Sequence, residues 1–158
     1  MNSFIRDCHK LENLASSIYS SLSQKQKFSK KLRDTFTKLC IDEKKHSNNL
    51  DLILQSSPKD LGGHHFRVSW EKIYEAIQAA EKFLAIVKRD DIEEDTALQM
   101  AIEMENRFLL AHAHNVIEIY NENLAKIFNK LGEDDKAHIE TLKDVLQWWH
   151  QQSSPERS

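Results

Sequence analysis

Six side chains interrupt an otherwise apolar pattern: Glu12, Glu43, His46, Glu105, Asp135 and His138. Each falls where helical periodicity would place a leucine. The stripe 5, 8, 12, 15, 19, 22 holds Glu12, and the stripe 36, 39, 43, 46, 50, 53 holds Glu43 and His46. A stripe through 98, 101 or 102, 105, 108 or 109, and 112 holds Glu105 and His112, and 128, 131, 135, 138, 142, 145 holds Asp135 and His138. Periodicity selects Glu105 over Glu103, which projects about 160° away at ~100° per residue, and selects Asp135 over Glu133 and Asp134. Taken singly, each could be a half-buried polar group at a helix end or half of a buried salt bridge. Taken together they have no neutralising partner, because no Lys or Arg shares these stripes. Each close carboxylate pair would cost a few kcal/mol at an effective dielectric of ~20, and burial would add to that. Two divalent cations would cancel four carboxylates. Residues three apart on a helix point at one spot, so Glu43/His46 and Asp135/His138 can each grip a metal. Carboxylate and imidazole without thiolate suit Fe(II) or Mn(II), with Zn(II) as a substitute.

The elements that must position these groups are helices. Apolar spacing predicts segments over about 3–22, 25–56, 69–89, 90–116 and 117–149. Ser56-Ser57-Pro58 stops the second, since proline cannot continue the backbone ladder. Residues 57–68, with Gly62-Gly63-His64-His65, read as a loop with solvated histidines, and Ser69 as a helix cap. The third segment's apolar stripe is Trp70, Ile73, Tyr74, Ile77, Leu84 and Val87, and Asp90 to Asp95 provide an acidic start for the fourth. Residues 151–158 are a polar tail expected to fray.

The chain also repeats itself. Residues 36–46 lie over 128–138 at an offset of 92, which also pairs Phe28 with Tyr120 and Leu50 with Leu142. An offset of 93 pairs Ile5 with Leu98, Glu12 with Glu105 and Tyr19 with His112, so one residue is missing from the second turn, near Asn115. Gly132 lies over Cys40 and is therefore expected within a helix, although alone it resembles a C-cap. Two repeated αα-hairpins, each with one apolar face, must bury those faces together. The fold class is all-α: a four-helix bundle of two hairpins, with an extra helix in the long crossover 57–90. Residues 1–150 form one domain.

The order Glu12, Glu43-Lys-Lys-His46, Glu105, Asp135-Lys-Ala-His138 resembles the rubrerythrin branch of the ferritin-like di-iron carboxylate proteins, in which two helices give one Glu each and two give an ExxH pair. Ala101-Ile-Glu-Met-Glu105 is similar to that family's third-helix signature. The resemblance implies a ferritin-like fold and two Fe ions, bridged by Glu43 and Asp135, with Glu12 and Glu105 as terminal ligands and His46 and His138 capping one ion each. It implies an oxidoreductase that reduces hydrogen peroxide or dioxygen in defence against oxidative stress. The sequence departs from the family at three points. Asp135 replaces the usual Glu, Phe108 stands where a further Glu usually follows one turn after Glu105, and no pair of CxxC motifs provides a rubredoxin-like domain. Electrons would then come from a separate protein. The alternatives are a ferroxidase that handles iron, and a helical interaction module with a structural metal site.

Composition bounds the remaining options. Among 158 residues there are only 3 Gly and 2 Pro, with 30% charged and 40% hydrophobic, which excludes an all-β fold. A net charge of −3 with both signs dispersed gives no basic stripe for nucleic acid, and apolar runs of four or five residues are too short for a membrane span. Met1 to Ser20 lack signal-peptide character, so a cytoplasmic protein with reduced Cys8 and Cys40 is expected, forming a homodimer or larger homo-oligomer. Cys8 and Cys40 read as small buried hydrophobes. Tyr19 reads as a packing residue with a hydrogen-bonded hydroxyl rather than a redox residue, and His112 as a satisfied core histidine, the alternatives being a donor to the ligands or an extra ligand. Trp70, Trp148 and Trp149 read as packing or oligomer contacts, and His112-Ala-His114 is no zinc pair because i and i+2 diverge on a helix.

Overall fold

The computed structural model describes residues 2–56, 70–89, 91–116 and 122–153. Its regular elements there are five helices: α1 (Asn2–Ser23), α2 (Lys30–Ser56), α3 (Trp70–Val87), α4 (Glu94–Val116) and α5 (Glu122–Ser153). Among the described residues there is no strand and no helix long and apolar enough to cross a membrane. The expected loop 57–68, the Ser69 cap, Tyr120 and the last five residues lie outside the described residues, as does the side chain of His114.

The helices begin where local hydrogen bonding allows. Residues 25–29, expected to be helical, instead form turns in which Lys25 N–H donates to Leu22 O and Phe28 N–H to Lys25 O. Ser29 caps α2: its carbonyl accepts from Arg33 N–H at 3.1 Å and its hydroxyl from Leu32 N–H at 3.4 Å. Its own N–H donates to Glu94 Oε2 at 3.3 Å, tying the start of α2 to that of α4. Glu94 and Asp95 occupy the first turn of α4, where carboxylates favour the helix dipole. α5 runs to Ser153, so the first three residues of the expected frayed tail are helical.

α1 packs along α2, α4 along α5, and α3 lies against α1 and α4. This arrangement fits a ferritin-like helical fold. The repeat survives in the helix ends: Ser23 and Val116 are 93 positions apart, whereas Lys30 and Glu122 are 92 apart, so the missing residue falls between α4 and α5. Gly132 sits inside α5, as the repeat requires. The α3 face differs from expectation. Trp70 and Tyr74 are exposed, while Ile73, Ala76, Ala80, Phe83 and Val87 are buried. The small Ala76 and Ala80 let the helix approach α1 and α4 closely, a packing preference that hydrophobicity alone does not report. Stacked or tilted rings fill the core to either side of the acidic cluster: Phe4 on Phe128 at 5.2 Å, and Tyr19 and Phe28 on Phe36 at 5.9 and 6.4 Å. Trp148 and Trp149 are partly buried against the core, with the Lys31 ammonium 5.3 Å from the Trp148 ring.

Candidate metal centre

All six predicted side chains are buried, and they come together from α1, α2, α4 and α5. His46 Nδ1 lies 3.3 Å from Glu43 Oε2 and 3.5 Å from Glu12 Oε2. His138 Nδ1 lies 2.9 Å from Glu43 Oε1 and 3.3 Å from Glu105 Oε1. The two oxygens of Glu43 thus divide between the two histidines, whose rings lie 5.8 Å apart. One geometric group is Glu12, Glu43 and His46, and a second is Glu43, Glu105 and His138, each with ligand-type atoms within 4.8 Å of one another.

The ring orientations follow from two aspartates that the periodicity argument set aside or never singled out. His46 Nε2–H donates to Asp134 at 2.9 Å, and His138 Nε2–H donates to Asp42 at 3.2 Å. Asp42 and Asp134 are repeat equivalents, each one residue before its helix's inward carboxylate. Each crosses to the histidine of the other helix. With Nε2–H held on the outside, Nδ1 faces the cluster and is the nitrogen that would exchange its proton for a metal ion, the arrangement in which a carboxylate orients a metal-binding imidazole. The signal was present in sequence as the recurrence of Asp ahead of both pairs. Its meaning needed the α2–α5 packing.

Tyr19 and His112 also join the cluster. Tyr19 O–H donates to Glu105 Oε1 at 2.6 Å. His112, fully buried, places Nδ1 2.6 Å from Asp135 Oδ2 and Nε2 3.6 Å from Glu12 Oε1. Its ring packs edge-on to Phe108, 6.4 Å away, and against Phe128 at 6.1 Å. Phe108 therefore puts apolar surface where the family resemblance implied another carboxylate. Asp135 groups with His112 and Glu12, not with His46 or His138. One methylene shorter than Glu, it meets the neighbouring imidazole instead of spanning the two histidines.

Electrostatics describe a centre that holds protons when no cation is bound. Burial, reinforced by the charge of Glu43, pushes the Glu12 carboxyl up to about 8. Burial alone would lower His46 and His138, but the carboxylates beside them overcome it. Glu12 and Glu43 raise His46 to about 11, and Glu105 and Glu43 raise His138 to about 12. His112 is likewise raised, with Asp135 overcoming burial. Burial raises Glu105 and Asp135, and raises the Cys8 thiol against the opposing influence of His112, so the thiol stays protonated.

The donor set fits metal ions on a direct observation. Glu12 Oε1 and Oε2, Glu105 Oε2, Asp135 Oδ1 and His112 Nε2 are buried without an aligned hydrogen bond, and Glu43 Oε1 and His138 Nδ1, though 2.9 Å apart, are not aligned for one either. Buried polar atoms are nearly always satisfied, and an orphan costs about 1–3 kcal/mol. A cation placed among them would satisfy them together. Neither the curated proteins nor the solved structures offer a match to the chain. The rubrerythrin family model matches residues 4–146, a span that includes every member of this cluster. The chain belongs to the rubrerythrin family.

Proposed function

We propose that this chain is a ferritin-like four-helix di-iron carboxylate oxidoreductase that reduces hydrogen peroxide or dioxygen with electrons from a separate protein. Residues 1–150 are its single domain. Glu12, Glu43, His46, Glu105, Asp135 and His138 would hold the ions, with Glu43 shared between them. The observation that carries the reading is the set of orphaned buried oxygens and nitrogens converging from four helices. When bound, a pair of irons supplies two electrons together to one oxidant.

The chain's own residues do the positioning. Asp42 and Asp134 keep both Nδ1 atoms turned inward, and Tyr19 holds Glu105 by its hydroxyl. Phe108 and Phe128, packed on His112, put apolar surface beside the centre, excluding bulk water and strengthening the charge interactions inside. A cleft between α2 and α5, lined by Lys31, Lys38, Asp42 and His138, reaches the outer edge of the His138 ring. Small oxidants need no wider route.

The test is an anaerobic Fe(II) titration, expected to saturate at about two ions per chain, since the ligand set divides into two carboxylate–imidazole ends. Peroxide or dioxygen added with a reductant should then give repeated turnover. Uptake of many irons per chain would move the assignment to ferroxidase-type iron handling. Silent Zn(II) binding, with a ferrous form inert to both oxidants, would reduce the centre to a structural site.

A further inference from the structure

His112 lies outside the two ExxH pairs, and its surroundings differ from those of a packed core histidine. The 2.6 Å contact between Nδ1 and Asp135 Oδ2 is a short hydrogen bond, with the ring N–H donating to the carboxylate. With Nδ1–H committed to Asp135, Nε2 is the ring nitrogen that can exchange its proton for a cation. It makes no aligned hydrogen bond: the Cys8 thiol lies beside the ring, and Glu12 Oε1, itself without a hydrogen bond, is 3.6 Å away. Asp135 Oδ1, the third orphan, belongs to the same geometric group of Glu12, His112 and Asp135.

A separation of 3.6 Å is too long for a hydrogen bond. It is the right spacing for two ligands of one ion: at metal–ligand distances of ~2.1 Å, neighbouring ligands lie about 3.0 to 3.6 Å apart for angles of about 90 to 120°. The pairs His46 Nδ1–Glu12 Oε2 and His138 Nδ1–Glu105 Oε1, at 3.5 and 3.3 Å, fall in the same range. The device that turns His46 and His138 inward, a carboxylate accepting the proton of the far ring nitrogen, also operates on His112, with the two nitrogens exchanged. The repeat breaks here too, since the equivalent residue is Tyr19, whose hydroxyl donates its proton to Glu105 and which offers no imidazole nitrogen.

We propose that His112 is a third imidazole ligand of the metal centre, bound through Nε2 beside Glu12 and Asp135, so that the Glu12 end of the centre is richer in nitrogen than the Glu105 end. The proposal rests on the two-metal reading above and goes beyond it by adding a ligand outside the repeated motif.

Proton NMR of the Co(II)-loaded protein tests it, because each imidazole bound to Co(II) gives one strongly shifted, exchangeable ring N–H. The wild type should show three: from Nε2–H of His46, Nε2–H of His138 and Nδ1–H of His112. His112→Gln should remove one while the helical circular dichroism persists, and His46→Gln should remove a different one. Two shifted N–H signals in the Co(II)-bound wild type would overturn the role of His112 and leave the metal centre standing. So would three signals of which none is lost in His112→Gln. Absence of Co(II) uptake would overturn both readings. A wild-type count of two decides against His112 even if this variant fails to fold, and with a count of three the more conservative His112→Asn provides the same assignment.

Discussion

At the scale of single residues, the orphaned atoms and the aspartates behind the histidines lead to two expectations. Glu43 offers one oxygen to each histidine, so Glu43→Ala should lower metal content below two ions per chain by elemental analysis. Unchanged content would contradict its shared role. Asp42 and Asp134 touch no inward atom, yet they hold the rings. Asp134→Asn and Asp42→Asn should each weaken metal affinity by about 10- to 100-fold, measured by competition with a chelator, with little loss of helix. An effect confined to one of the two would show that the pseudo-symmetric halves are not equivalent in binding.

At the scale of elements, α5 carries a correctable defect. Gly132 lies inside a 32-residue helix, and a methyl added there would meet only Leu109 Cδ1, at 3.9 Å, an ordinary contact. Gly132→Ala should therefore stabilise the protein by about 0.5–1 kcal/mol in urea denaturation, through the lower entropy of the unfolded chain. A loss of stability would mean that the helix backbone needs glycine for some other reason. At the other hairpin, Ser29 accepts an otherwise unpaired N–H at the start of α2 and binds Glu94. Ser29→Ala should cost about 1 kcal/mol. Periodicity alone could not place this cap. The apolar spacing continues through Phe28, and only the turn hydrogen bonds at Lys25 and Phe28 show that the helix starts later.

At the scale of the molecule, the buried centre links stability to pH and to metal. The raised groups Glu12, His46 and His138 bind more protons in the folded than in the unfolded metal-free chain. Their stabilisation is complete at low pH. It declines as pH rises, for Glu12 from its ordinary 4.5 towards about 8, and for the histidines from 6.5 towards about 11 and 12. Metal-free protein should therefore lose thermal stability between about pH 7 and pH 9, where surface carboxylates and lysines hardly titrate. Metal-loaded protein should show a nearly flat profile there, because the cations have displaced these protons and the unfolded chain has already lost them. Chelation at pH 8 should accordingly lower the melting temperature, and metal uptake in unbuffered solution near pH 7 should release protons, from His46, His138, His112 and Glu12. Parallel slopes with and without metal would disconnect the ions from this cluster.

The linear order of residues was enough to indicate the helices, the internal repeat and the six inward polar positions. Helical period and burial of apolar faces are local properties, and a carboxylate on an apolar stripe declares itself without knowledge of its neighbours. It was not enough to orient α3, whose buried Ala76 and Ala80 are weakly hydrophobic and whose Trp70 and Tyr74 are exposed. Nor could it show that Asp42 and Asp134 cross to histidines 96 and 88 residues away, or that His112 sits between Glu12 and Asp135. Those are contacts between helices, set by axial register and side-chain length. One methylene at position 135 is felt only when packing places a second imidazole beside it.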